Sequence, residues 1–440
     1  MNKQPVTVFW FRRDLRLADN HGLFHALQGQ YPVLPVFIFD KNILLALRDK
    51  KDRRVSFIHQ TLSRLHEKLV KLGSSFFAIY DEPLSAFRTI CDSFDVKEVV
   101  TNHDYEPYAI ERDQQVSNFL ASKNIGFRTF KDQVIFERSE VLKKDGSPYT
   151  TFTPYSKAWK QKFSEQELEF FHGEKLLNRF LRTQPFHFPL LKEMGFTPPG
   201  MSATSPVINK EVIALYDKNR NMPYLDGTTR LSVHLRFGTV SIRELVKMAT
   251  GLNELWLNEL IWREFFMMIL FHFPEVVKQS FKKEYDNIQW RNNEKEFKAW
   301  CSGTTGYPIV DAGIKELNET GFLHNRVRMI VASFLTKHLL VDWRWGEAYF
   351  AEKLLDYELS SNNGNWQWAA GCGCDAAPYF RMFNPTLQAK RFDPKFLYIK
   401  KWITDFASYR IQPVVDHEFA RKRALSVYRR ALKDKETGSL

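Results

Sequence analysis

A change of hydrophobic period about a third of the way along the chain constrains the fold more than any other feature of the sequence. Over the first 130 residues, short apolar, β-branched and aromatic runs alternate with helical patterns. The runs are Val6–Phe11, Val33–Asp40, Ser75–Tyr80, Glu98–Asn102 and Gly126–Phe130, each bounded by turn residues. Between them, Val55–Leu72 carries Val55, Ile58, Leu62, Leu65 and Leu69 on one helical face. Strands separated by helices pair in parallel, with the helices packed on the faces of the sheet. The pattern predicts a doubly wound parallel α/β sheet. No G-x-G-x-x-G follows the first run, which argues against an ordinary dinucleotide fingerprint.

From about Val134 to Val207 the periodicity fades. Turn signals at Lys144–Pro148 and proline-rich runs at Thr197–Gly200 and Ser202–Pro206 read as a long inter-domain connection carrying some helix. From about Asn209 onward the pattern is helical. The expected division is therefore an α/β domain at 1–133, a connection at 134–207 and a larger all-α domain at 208–440. The last segment, Arg421–Lys435, reads as a basic helix, either a solvated face or a DNA contact.

Charge narrows the choice of partner. Lys plus Arg number 63 against 51 Asp plus Glu, a formal charge of +12. That excess favours a polyanion, nucleic acid before a membrane surface, although a mildly basic protein without such a partner has the same arithmetic. The 38 Phe, 16 Tyr and 11 Trp call for large packed helices, stacking surfaces, or both. Cys91, Cys301, Cys372 and Cys374 are too scattered for a disulfide framework, and Cys372-Gly-Cys374 lacks zinc-site spacing, so no metal is expected. Met1–Pro5 does not open a secretory leader, and no apolar run approaches the ~20 residues that span a bilayer. The expectation is a soluble, cytoplasmic protein.

Three segments carry chemistry. In Leu257–Phe266, the residues Glu259, Trp262, Arg263 and Phe266 fall on one face of an apolar helix. They are either a helix edge with a Glu259–Arg263 pair, worth about 0.2–0.5 kcal/mol, or the wall of a cavity for a flat heterocycle. In Gly321–Met329, His324 and Asn325 could cap a helix, but Arg326 and Arg328 enter a buried-looking stretch ahead of the apolar helix Ile330–Leu340. Buried arginines need carboxylates or phosphates, and Asp356 and Glu358 are the candidate partners. In Asn362–Ala370 and Asp375–Pro385, closely spaced Asn, Gly and Trp suit either a turn that brings backbone against a ligand or a turn plugged by two indoles.

With these segments in view, the chain resembles the photolyase/cryptochrome family nearly end to end, and within it the class I cyclobutane-dimer photolyases. The resemblance is carried by Phe9–Asn20, Asp226–Ser232, Trp256–Phe265, Gly306–Asp311, His324–Met329 and Asn362–Pro385. It implies an N-terminal antenna domain and a C-terminal helical domain holding FAD. Tyr216, Thr228, Thr229, Arg230, Leu231 and Ser232 would contact the phosphates and ribityl chain. Arg328 and Asp356 would pair beside the isoalloxazine, Asn362 would lie near N5, and Trp256, Glu259, Arg263 and Glu358 complete the expected contacts. Glu358 stands where class I members often carry a second Asp. Glu259, Trp262, Asn325, Met329 and Trp368 would line the lesion cavity, and Arg220, Arg263, Arg326 and Arg381 would hold backbone phosphates. Trp366, Trp343 and Trp290 match the family's electron-transfer chain.

The implied activity is that of a deoxyribodipyrimidine photo-lyase, a carbon–carbon lyase acting on UV-damaged DNA. Excited reduced FAD gives an electron to a flipped pyrimidine dimer and takes it back, with no net redox change. A monomer without membrane or protein partners is expected. A folate, deazaflavin or second flavin could serve as antenna in the N-terminal domain, where Asn102–Glu111, with Glu106 in it, resembles a folate-contacting stretch. The alternative is a cryptochrome-type blue-light signalling flavoprotein without repair activity. Such proteins commonly carry long divergent tails and an altered residue at the Asn362 position.

Overall fold

The computed structural model describes residues 3–200 and 203–433. Ser202 of the proline-rich run, and Asp434 and Lys435 at the end of the basic helix, lie outside the described residues. Packing groups the chain into two compact units. The first comprises Met1–Glu137, Lys162–Ile208 and Arg230–Gly251, and the second Arg138–Gln161, Asn209–Thr229 and Leu252–Leu440. The stretch expected to be a connection is thus shared between them.

In the first unit, β1 (Pro5–Phe11), β2 (Val33–Asp40), β3 (Phe77–Asp81), β4 (Asp95–Asn102) and β5 (Gly126–Phe130) form one sheet in the order β3-β2-β1-β4-β5. Every pairing is parallel. β2 is buried along its whole length, as a sheet covered on both faces requires of its inner strands. The longer helices between them are α1 (His21–Gln28), α2 (Arg53–Lys71), α3 (Pro83–Ser93) and α4 (Pro107–Ser122). Asn20 and Asp52 start α1 and α2 by accepting backbone N–H bonds, and Pro83 and Pro107 start α3 and α4. Ser75, expected to open β3, stays outside it, and its Oγ accepts the Phe186 N–H at 2.9 Å.

The helices of the second unit include α5 (Phe152–Ser164, through Gln161), α6 (Tyr216–Asn219), α7 (Glu254–His272), α8 (Glu294–Ser302), α9 (Asn325–Ser333), α10 (Trp343–Lys353), α11 (Leu359–Ala370), α12 (Pro385–Phe392) and α13 (His417–Lys433). α7, α9 and α10 all pack against α11, and the core around them buries Trp300, Trp343 and Trp366.

Two local expectations are corrected here. Asn362–Trp368 lies inside α11 rather than in a turn. Gly364 is there to admit a neighbour, since a Cβ on it would stand 2.2 Å from Cδ1 of Phe266. The helix expected over Ile330–Leu340 ends at Ser333 and widens into a π-turn, Phe334–His338. Thr336 Oγ1 bonds back to the Ala332 carbonyl at 2.9 Å, the kind of contact that bends a helix.

Candidate functional site

α11 is the spine of the site. Asn362 and Trp366 lie four residues apart on it, hence on one face, and both are buried. The Asn362 amide donates to the Glu347 backbone carbonyl at 3.1 Å and to its Oε1 at 2.8 Å. Burial pushes the Glu347 carboxyl above its ordinary value, with the Asn362 bond opposing. Glu347, on α10, was not singled out in the sequence, where nothing distinguishes it from other helical glutamates. Trp366 is seated by Gly346 of the same helix, where a Cβ would stand 2.1 Å from its Cη2.

Of the two carboxylates expected to receive Arg326 and Arg328, Asp356 takes Arg328, whereas Glu358 takes Arg263 and Arg326 bonds Asn221. Arg328 donates to Asp356 at 2.8 and 3.1 Å and to the Leu323 carbonyl at 2.7 Å. Glu358 pairs with Arg263 of α7 at 2.9 Å, so the local Glu259–Arg263 pair is replaced by a bond between α7 and the start of α11. Glu259 accepts instead from Arg220 at 2.5 Å and bonds the Tyr216 hydroxyl. Its side chain is about one-third exposed, yet burial of the carboxyl holds it above the usual glutamate range against the pull of Arg220. Arg220 thus bonds the very carboxylate expected at the lesion.

Arg326 is different in kind. Its guanidinium lies over the Phe392 ring at 4.3 Å and donates to Asn221 Oδ1 at 2.6 Å. Burial lowers its pKa from the ordinary value, and the charges that lower it further are Arg220, Arg391 and Arg381. Asn221, Arg391 and Phe392 had not been read as site residues, although Lys390-Arg391 is a visible basic pair. Arg381 is exposed, as is Asn325 at the first position of α9, with Met329 one turn further along. His324 caps that helix, its Nδ1 accepting the Arg326 N–H at 3.2 Å.

The aromatic face is reinforced from behind. Trp262 stacks on Phe152 of α5 with ring centroids 3.7 Å apart and planes 5° from parallel. Phe152 sits in the stretch expected to be mere connection, so nothing in its local pattern pointed to this role. Trp368 is half-buried on α11, Trp343 and Trp256 are buried, and Trp290 is partly exposed with its ring 6.1 Å from Tyr428. Of the run 228–232, Thr228 and Thr229 belong to the second unit. Arg230, with a left-handed φ of 52°, Leu231 and Ser232 belong to the first.

The donor set of the second unit fits a flavin. It offers a guanidinium held by a carboxylate, an amide aimed from a rigid helix and braced by Glu347, and a buried flat indole on the same helix face as that amide. These are partners for the polar edge and the face of a planar heterocycle that carries negative charge when reduced.

In the first unit, β1 and β4 flank the point where strand order reverses, the usual ligand crevice of such sheets. The groups there are already paired. Arg13 donates to Asp104 and to Glu106 at 3.0 Å each, and Arg236 donates to Glu106 at 3.0 Å. Burial alone would raise the Asp104 carboxyl, but Arg13, Arg12, Arg112 and Arg236 hold it well below the carboxylate range. Among the described residues no helix is long and apolar enough to cross a membrane.

Known proteins of one family resemble this chain along nearly its whole length. The family description DNA photolyase matches residues 7–172, and FAD binding domain of DNA photolyase matches residues 256–426. A deoxyribodipyrimidine photo-lyase of Halobacterium salinarum is 33% identical over 98% of this chain and 100% of its own length. Among solved structures, a bacterial class III photolyase from Agrobacterium tumefaciens superposes with a TM-score of 0.84 at 31% identity, covering 98% of each chain. An archaeal photolyase from Sulfolobus tokodaii, described with two FAD molecules, gives 0.79 at 32% identity over 97% of this chain and 100% of its own. Identity at this level over essentially the whole length, with both family regions in order, makes this chain an enzyme of the DNA photolyase family, carrying that family's FAD-binding domain.

Proposed function

We propose that this enzyme binds UV-damaged DNA and, in light, splits cyclobutane pyrimidine dimers held in the second unit, as a class I member of the family. The observation that carries the reading is Arg326. Arg263 and Arg328 each have a carboxylate, while Arg326 is half-buried among the like charges of Arg220, Arg381 and Arg391. A cluster of that kind is relieved by an anion, and a row of phosphates supplies one.

Phosphates of the kinked strand rest on Arg326, Arg381 and Arg391. A dimer, poorly stacked in its duplex, costs less to flip than an intact pair. It is received between Trp262, stiffened by Phe152, and Trp368. Glu259, shared with Arg220 and Tyr216, bonds the pyrimidine edges together with Asn325. Its raised pKa favours the protonated form that can donate as well as accept. Reduced FAD, when bound, supplies the light-driven electron that opens the ring and receives it back. Arg328, Asp356, Arg263, Glu358, Trp256, Tyr216 and the hydroxyls of Thr228 and Thr229 would hold and orient that cofactor. Asn362, braced by Glu347, would present its amide to the flavin ring. Trp366, Trp343 and Trp290 would recharge it after oxidation. An antenna chromophore would be held by the first unit, a reading supported by likeness to the Sulfolobus relative described with two FAD molecules.

The test is DNA binding against salt, with and without a dimer in the same oligonucleotide. Arg326→Ala should weaken both DNAs alike and shallow the salt dependence by about one phosphate contact. Glu259→Ala should weaken dimer binding by roughly 1–3 kcal/mol for a lost hydrogen bond and leave undamaged DNA unchanged or slightly tighter. If both substitutions weaken the two DNAs equally, the division between lesion and backbone contacts is wrong.

A further inference from the structure

Lys337 lies in the π-turn after α9, a turn in which all of Phe334, Leu335, Thr336, Lys337 and His338 are buried. A π-turn widens the helical repeat and sends a side chain where an α-helix would not. A lysine stem ordinarily carries its ammonium out to water, and an ammonium kept from water needs a partner. Among the described residues no carboxylate pairs with this one. Its Nζ donates instead to the Arg381 backbone carbonyl at 2.8 Å. The groups that face it are Arg381, whose charge opposes it, and the Cys372 thiol, and the adjoining His338 feels its charge in turn. Burial pushes the Cys372 thiol up to about 12 and His338 down to about 3. Both are therefore neutral near pH 8, where burial, then Arg381, bring the lysine.

The carbonyl it holds belongs to the loop between α11 and α12. Arg381 closes a turn, its N–H donating to the Pro378 carbonyl at 2.8 Å, and its exposed guanidinium stands 5.8 Å from the Phe383 ring. The root of the loop is secured elsewhere. The N–H groups of Cys372 and Gly373 donate to the Gln367 carbonyl at 3.0 and 3.1 Å, and Asp375 Oδ2 accepts the Phe152 N–H at 3.1 Å. Beyond that root, among the described residues, the Lys337 bond is the one hydrogen bond tying 376–383 to the rest of the unit. Packing of Tyr379 on Tyr428, with ring centroids 6.0 Å apart, adds to it.

We propose that Lys337 is a positioning residue for DNA, holding the Arg381 backbone so that its guanidinium meets a phosphate, and that it takes up a proton as the phosphate binds. The inference rests on the reading of Arg381 as a phosphate contact given above. An ammonium donor makes a hydrogen bond about twice as strong as a neutral one. In the free enzyme the charge of Arg381 works against that ammonium. A phosphate on Arg381 offsets the charge, so the protonated lysine is favoured and its pKa rises on binding. The proton comes from the buffer, the amine becoming an ammonium. Between the free and the bound values, the complex carries more protons than enzyme and DNA apart. Affinity is therefore full below pH 8 and falls as pH rises through that interval.

The test is calorimetric titration of the FAD-loaded enzyme with a duplex oligonucleotide, with and without a dimer, at pH 8 in two buffers of different ionisation enthalpy. The difference in apparent heat counts the protons. Wild type should take up about half a proton with either DNA at that pH. Lys337→Gln keeps a neutral donor and should bind within about threefold of wild type without uptake. Lys337→Met removes the donor and should weaken both DNAs by about tenfold, also without uptake. Arg381→Ala should abolish the uptake with Lys337 intact. Arg381 is exposed, so this variant decides the matter even where the buried ones fail to fold. No uptake in wild type, undiminished uptake in Lys337→Gln, or wild-type affinity in Lys337→Met overturns the proposal. Arg381→Ala also separates the two levels. Wild-type affinity for both DNAs in that variant overturns the placement of Arg381 on a phosphate, whereas weakened binding with unchanged uptake overturns only the role of Lys337.

Discussion

Arg326 and Arg328 are two positions apart on one helix and end in opposite surroundings. Arg328 reaches Asp356 and the Leu323 carbonyl, while Arg326 faces cations. The sequence exposed the need for partners, because two arginines preceding an apolar run cannot both stay unpaired, and it pointed to Asp356 correctly. It could not give the partner of Asn362. Glu347 is fifteen positions away and becomes its neighbour only once α10 packs on α11. Arg328 is about a quarter exposed, so losing it leaves Asp356 a partly solvated orphan at a cost of ~1–3 kcal/mol. Arg328→Ala should fold and lose FAD faster than wild type on dialysis, read as flavin absorbance per protein. An undiminished flavin load would remove Arg328 from the cofactor site.

At the scale of elements, the strands were the most legible part, because β-branched and aromatic runs between turn signals have few other uses. The interior of α11 was the least. Asn, Gly and Ser are poor helix formers, so Leu359–Ala370 resembles a turn until packing by α7, α9 and α10 overrides propensity. That override is testable. Gly364→Ala would add ~1 kcal/mol of helix propensity in a free helix. Here it should instead destabilise by ~1–3 kcal/mol, through overpacking against Phe266. Denaturant unfolding that shows stabilisation would contradict the packing. The π-turn gives a second test. Lys337 is 2% exposed, donates to the Arg381 carbonyl at 2.8 Å, and burial, then Arg381, lowers its pKa from 10.5 to about 8. The native state therefore binds fewer protons than the unfolded chain between pH 8 and 10.5, so this residue's contribution to stability rises with pH across that window. Lys337→Met removes the buried charge. Its stability relative to wild type should be greatest below pH 8 and fall by ~3 kcal/mol by pH 10.5. A difference that stays flat over the window would show that Lys337 is not depressed.

For the whole molecule, the shift from alternating strands and helices to helices alone gave the architecture, and the parallel five-stranded sheet and helical remainder follow it. A linear reading placed the connection at 134–207, whereas packing shares that stretch between two interleaved units. Side-chain periodicity reports which face of an element is buried and carries no information about which distant segment covers it. The proposed function stands or falls on whether the second unit turns light into dimer cleavage. The measurement is recovery of pyrimidine absorbance in a dimer-containing oligonucleotide, given enzyme chemically reduced in the absence of air. Recovery should follow the photons absorbed, stop in the dark, leave (6-4) photoproducts untouched, and persist in Trp366→Phe, the outcome expected if the proposed tryptophan chain serves only to recharge the cofactor. No recovery in light by fully reduced, DNA-bound enzyme would contradict the claim.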